Sequence, residues 1–210
     1  MGQRLVIQIT DHGEPIASAY YHWSAYTGSA AELTNDVLDW LDDADKSFTN
    51  KQKAVWALYK TGARFNPIEE SRLLEHGIKN YYSFAFDDKT VDRNNGLICV
   101  TEEGMQEHLN WEEGHVDIDI WFDEIYFNVI GIEAAEDYKK ACKEYDMDPF
   151  EKLPVLKFDW EKDTEDNSWA CLELTREKWA SFYLALRKAV KRLNYTLKSP
   201  GGTIVYELIE

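Results

Sequence analysis

Cysteine is sparse in this chain. The three that occur, Cys99, Cys142 and Cys171, are widely spaced and odd in number, so they form neither a disulfide framework nor a zinc-ligand pattern. Each reads as a small buried hydrophobe. Proline is nearly as scarce, with 5 in 210 residues, and no Pro- or Ser-rich linker divides the sequence. No apolar run approaches the roughly 20 residues that a membrane-spanning helix requires. The opening MGQRLVIQITDHGE has neither the apolar core nor the cleavage pattern of a signal peptide, so the expected location is the cytoplasm. There is no Gly-rich phosphate loop, no nucleophile elbow and no Cys/His pair at a signature spacing. His108 and His115, with Glu112 and Glu113 between them, do not have the two-histidine spacing of zinc peptidases. No catalytic residue, cofactor or metal is therefore expected.

Positive charge is also in deficit. The chain has 23 Lys and Arg against 39 Asp and Glu, a net charge of −16. Affinity for phosphates comes from Lys and Arg releasing counterions, so direct binding to nucleic acid is disfavoured. Anionic membranes are disfavoured for the same reason. The expected partner is a basic protein surface, towards which long-range attraction would speed the encounter. The imbalance is local. Asp87 to Leu174 contains 25 acidic and 8 basic residues, whereas Thr175 to Lys198 contains 7 basic and 1 acidic. Homo-oligomerisation is left open.

What the chain does have is apolar and aromatic content: 44% hydrophobic residues, with 8 Trp, 12 Tyr and 9 Phe. That is enough to build a large core. The pattern predicts strands at Leu5–Ile9 and Pro15–Trp23, joined by a turn at Asp11–Glu14. A capping box of Ser29 and Glu32 predicts a helix from Ala30 to about Asp43. Further helices are expected over Lys51–Tyr59 and from Asn66-Pro67 to Gly77. YYSFAF and GLICV read as strands around a polar turn. VDIDIWF alternates as a strand, and EIYFNVI either continues it or returns beside it. A charged helix is expected over Ala134–Tyr145, a hairpin of VLKFDW and SWACLEL, and a long helix capped by Thr175. A last strand, TIVYELI, should dock into a sheet. The expected class is α+β, mainly an antiparallel sheet with several packed helices. It forms a single domain over 1–210 or two tightly packed subregions, 1–79 and 80–210.

Two groups of residues could do chemistry. Arg4, His22, Trp23, Tyr26 and Thr27 gather beside the expected helix start, where free amides favour an anion. They could grip a nucleotide, or staple the hairpin to the helix. The sequence Met1-Gly2-x-Arg4, followed by a hairpin and His22-Trp23-Ser24-Ala25-Tyr26, resembles a group of uncharacterised phage and mobile-element proteins. Those open Met-Gly-x-Arg and carry His-Trp-Asp-Gly-Tyr-Pro at this point. Ser24, Ala25 and Thr27 stand here in place of the Asp, Gly and Pro. The resemblance covers residues 1 to about 45 and implies a phage or prophage origin, with no assigned activity.

The second group is acidic. Asp117, Asp119 and Trp121 alternate along one strand face, with Asp123 and Glu124 following. Glu112 and Glu113 precede them, and Asp163, Glu165 and Asp166 lie in a later acidic turn. Carboxylates among aromatics can imitate phosphates and stacked bases. The expected function is that of a phage-type acidic protein that inhibits a host nucleic-acid-binding defence enzyme by occupying its basic groove. The alternatives are a binder that sequesters a nucleotide signal at the Arg4 corner, and a metal-dependent phosphoesterase built on the carboxylates.

Overall fold

Leu5–Asp11 (β1) and Glu14–Tyr21 (β2) form an antiparallel hairpin closed by the pair Asp11 and Glu14. The two central residues, His12 and Gly13, both have positive φ, at 56° and 79°. Two-residue hairpins need that backbone because its twist matches the flanking strands. The computed structural model describes residues 4–22, 24–25, 27–85, 96–110, 112–130, 158–164, 167–193, 198–199 and 202–203.

Along the chain, the hairpin is followed by α1 (Thr27–Asp42), α2 (Asn50–Lys60), β3 (Ala63–Phe65) and α3 (Pro67–Glu75). A 3-10 segment at Lys79–Ala85 comes next, then β4 (Gly96–Cys99), α4 (Glu102–Leu109), β5 (Gly114–Asp119) and β6 (Glu124–Ile130). The described chain continues with β7 (Phe158–Thr164), β8 (Asn167–Thr175) and α5 (Arg176–Leu193). These elements make an α+β body around a mixed, mostly antiparallel sheet, in the order β3-β4-β2-β1-β5-β6-β8-β7. The sheet draws strands from both sides of residue 80. β1 lies at its centre, antiparallel to β2 and parallel to β5.

Alternation along the strands gives the sheet two unlike faces. Leu5, Ile7, Ile9, Ala17, Ala19, Tyr21, Ile98, Val116, Ile118, Ile125 and Phe127 belong to one buried apolar cluster. The same cluster takes Val37 and Leu38 from α1, Val55 and Leu58 from α2, and Trp179 and Phe182 from α5. Each fully buried side chain of this size contributes about 1.5–3 kcal/mol. The other face is polar: Gln8, Thr10 and Ser18 are buried on it, with His115, Asp117 and Asp119 beside them. α4 covers part of this face, where His108 bonds to Ser18 and Cys99.

Several expectations are corrected. The described part of YYSFAF, Tyr81 to Ala85, lies in the 3-10 segment, because its rings pack into an aromatic cluster and not onto a pleated sheet. Phe84 lies 5.2 Å from Phe48 and 5.7 Å from Trp56, and Tyr82 lies 5.7 Å from Phe65. Ser29 caps nothing, since α1 begins two residues earlier with Thr27 and Gly28 buried inside it. The capping box belongs instead to Thr49 and Gln52, at the start of α2. Neither β3 nor α4 is evident from apolar periodicity: one is only three residues long and the other carries a short GMQEHL pattern. EIYFNVI returns antiparallel to β5. Gly202–Thr203 pairs with Lys198–Ser199 in a short separate ladder; Thr203 is the one described residue of the expected last strand. The expected turn over 87–95, the helix over 134–145 and residues 204–209 of the expected last strand lie outside the described residues.

Candidate partner-binding surface

Parallel pairing of β1 with β5 sets Thr10 beside Asp119 and brings the turns that follow both strands to the same end of the sheet. The first turn is His12-Gly13. The second runs from Ile120 to Asp123, with Asp123 also at a positive φ of 56°. Among the described residues, His12 and Asp123 are the non-glycine residues with left-handed backbone, and they sit in these adjacent turns. His and Asp tolerate that conformation better than most side chains.

Asp119 fastens the turns together. Its Oδ2 accepts from Thr10 Oγ1 at 3.0 Å and from the Gly13 N–H at 2.7 Å. Its Oδ1 accepts from the N–H groups of Trp121 at 2.9 Å and Phe122 at 2.8 Å. Burial opposes the charged form, but these donors outweigh it and hold the carboxyl below its usual range. With its backbone folded over Asp119, the second turn presents its rings outward. Trp121 is 61% exposed and Phe122 56%. The His12 ring stacks on Trp121, with centroids 3.9 Å apart and planes 23° apart, and meets Phe122 edge-on. Asp11 bonds His12 Nδ1 at 2.8 Å and accepts from Asn50 Nδ2 at 2.9 Å, tying the tip to α2. The Asp123 carbonyl accepts the Arg176 N–H at 3.0 Å, which ties it to α5. Glu14, Asp123 and Glu124, in or directly after the same two turns, are exposed as well.

The acidic residues singled out in the sequence thus divide into two sets. Trp121, Asp123 and Glu124 face solvent at the tip. Asp117 and Asp119 share a sheet face, but they are half-buried and bonded instead of forming a solvated outer row. The reason is the central position of β5, which sets Gln8 and Thr10 opposite them. Trp121 does not extend that row, because the strand ends at Asp119. Asp117 accepts from Gln8 Nε2 at 3.0 Å and from His115 Nε2 at 2.9 Å, while Glu112 accepts from His115 Nδ1 at 2.5 Å. Burial pulls the His115 pKa down, but the two carboxylates prevail and raise it to about 9. His115 is therefore an imidazolium held between two anions. Glu113 pairs with Arg4 Nη2 at 3.2 Å and accepts the Arg4 N–H at 3.0 Å. Asp163 lies in β7, and Glu165 and Asp166 lie outside the described residues.

At the opposite end of the hairpin, Arg4 is neutralised by Glu113, and His22 Nδ1 bonds Tyr20 Oη at 2.7 Å. Thr27 is fully buried at the start of α1. Trp23 and Tyr26 lie outside the described residues, so the corner proposed for a nucleotide is seen only in part.

A buried row beneath α4 was not visible in the sequence. His108 Nδ1 lies 2.9 Å from Ser18 Oγ and its Nε2 3.4 Å from Cys99 Sγ. Burial pushes the Cys99 thiol up and His108 down to about 4, and both shifts oppose a thiolate–imidazolium pair. The pair is neutral core. Glu69, also fully buried, accepts from the N–H groups of Val100 and Thr101, from Thr101 Oγ1 and from Arg72. It anchors α3 to the start of α4. An open depression of about 480 Å³ beside it is lined by Arg72, His76, Thr101, Glu102, Glu103 and Gln106. Arg72 is held there by Glu69, Glu103 and Glu107. Among the described residues, no group of three or more His, Cys, Asp or Glu side chains is placed to hold a metal ion, and no helix is long and apolar enough to cross a membrane.

His12, Glu14 and Phe122 are the tip residues that sequence reasoning missed. The turn Asp11-His12-Gly13-Glu14 was legible, but nothing in the sequence says that β1 and β5 lie side by side. No protein-family model, no curated protein and no solved structure matches this chain.

Proposed function

We propose that this protein acts by binding, as a phage-type acidic inhibitor in the host cytoplasm. In this reading it occupies the basic, nucleic-acid-binding groove of a host enzyme. The observation that carries the reading is the tip: two exposed rings, Trp121 and Phe122, with the exposed residues Glu14, Asp123 and Glu124 in or directly after the two adjacent turns. Contiguous exposed apolar surface rimmed by polar residues is characteristic of interaction sites. Binding energy at interfaces concentrates in such aromatic anchors, with charge supplying steering and selectivity. The net charge of −16 supports a basic partner over a nucleic acid or an anionic membrane.

The test starts with capture from a bacterial host lysate at low salt, followed by salt elution. The eluted enzyme is then bound to nucleic acid and challenged with this protein. Displacement of the nucleic acid by the wild type, weakened for a variant with Asp123→Lys and Glu124→Lys, is the expected result. A captured partner that keeps its nucleic acid under saturating protein would contradict the groove-occupying reading.

A further inference from the structure

We propose that the open face of the Trp121 indole is an anchor for an arginine side chain of the partner. The inference rests on the acidic-binder reading and names the chemical group that the tip selects. His12 stacks against one face of the indole at 3.9 Å, and the ring is nevertheless 61% exposed, so the other face is free to receive a planar group. The backbone beneath the ring is fixed by Asp119, which accepts the N–H groups of both Trp121 and Phe122, and the His12 stack orients the ring itself. Pre-organisation of this kind removes part of the ordering cost of binding.

Charge decides among the planar groups that could stack there. Glu14, Asp123 and Glu124 are exposed and lie in or directly after the two turns that carry His12 and the rings, and Asp119 has both oxygens committed to the turn. A nucleobase would bring its phosphate against those carboxylates. A second copy of this chain would bring another 16 negative charges. A guanidinium meets both demands at once. It stacks flat on an aromatic face while its N–H edge donates to carboxylates. A lysine ammonium is a compact, strongly hydrated point charge that cannot stack, so the site should discriminate between two cations of equal charge.

The experiment uses the full chain and two peptides of equal charge, hexa-arginine and hexa-lysine, titrated calorimetrically at low salt. Wild type is expected to bind hexa-arginine about ten-fold more tightly. Trp121→Ala and Trp121→Leu should bind both peptides equally and weakly. Asp123→Asn with Glu124→Gln should weaken both while keeping the preference. Equal binding of the two peptides by wild type, or a preference that survives in Trp121→Ala, would overturn the arginine anchor and leave the acidic-binder reading standing. Failure of wild type to bind either peptide would overturn both.

Discussion

The carboxylate of Asp119 accepts the backbone N–H of Gly13 at 2.7 Å, across 106 residues of chain. That bond joins two turns whose strands are brought together only by the sheet. The same carboxylate shapes the turn that exposes Trp121. Structure and proposed function therefore meet at one side chain.

Asp119→Ala should lose about 2–3 kcal/mol of stability, since four donors lose a charged acceptor. Asp119→Asn, which keeps one oxygen, should lose less. The folded carboxyl is held below its ordinary range, so its stabilisation is complete above the unfolded value of about 3.9 and is lost as pH falls through the folded value. Urea denaturation of wild type and Asp119→Asn should therefore show a gap near neutrality that narrows below about pH 4. A gap independent of pH would mean that the hydrogen bonds do not depend on the charge.

The joint between α3 and α4 should be equally sensitive. Glu69→Ala strands the buried N–H of Val100 and the partly buried donors of Thr101, while Arg72 keeps Glu103 and Glu107, so the expected cost is about 2–3 kcal/mol. Gly104→Ala improves helix propensity by about 1 kcal/mol. Its Cβ, however, would lie 2.7 Å from Glu69 Oε2 and 2.9 Å from Cys99 Sγ. The bonds that fix Glu69 leave it little room to move, so net destabilisation is expected. A rise in melting temperature for Gly104→Ala would show that the joint yields.

Two histidines should titrate on opposite sides of neutrality. His115 is raised to about 9, so its contribution is complete below the unfolded value of about 6.5 and is lost as pH rises through about 9. His108, buried neutral, is lowered to about 4. Its contribution is complete above about 6.5 and is lost as pH falls through about 4. Imidazole NMR titrations should give midpoints in this order. Coincident midpoints near 6.5 would contradict the burial of one and the double pairing of the other.

Asp123 occupies left-handed backbone at φ 56°, which costs most non-glycine residues about 1–2 kcal/mol and Asp somewhat less. Asp123→Gly relieves it but adds chain entropy to the unfolded state, so a net gain of up to about 1 kcal/mol is expected. The same change removes a tip carboxylate, so affinity for a basic peptide should fall as stability rises. Thermal denaturation paired with peptide titration reads both.

Local chemistry explains which features were legible in the sequence. The β1–β2 hairpin, the Asn66-Pro67 start of α3 and the helix after Thr175 each follow from neighbouring residues. The parallel pairing of β1 with β5, the 3-10 form of Tyr81–Ala85 and the burial of Glu69 depend on contacts distant in sequence. The charges of Asp117 and Asp119 could be counted in advance. Their partners, Gln8, His115, Thr10 and Gly13, could not, because sheet order decides who faces a central strand. That distinction moved the exposed surface from an acidic row to an aromatic tip with acidic neighbours.

The most direct measurement is an NMR titration of the full chain with an arginine-rich peptide, at low salt and at high salt. Shifts are expected in the amides of residues 10–14 and 119–124 and in the Trp121 indole. They should largely vanish at about 1 M salt, where charge interactions reach only about 3 Å. Shifts centred instead on Arg4, Tyr20 and His22, or a response at the tip unchanged by salt, would contradict it.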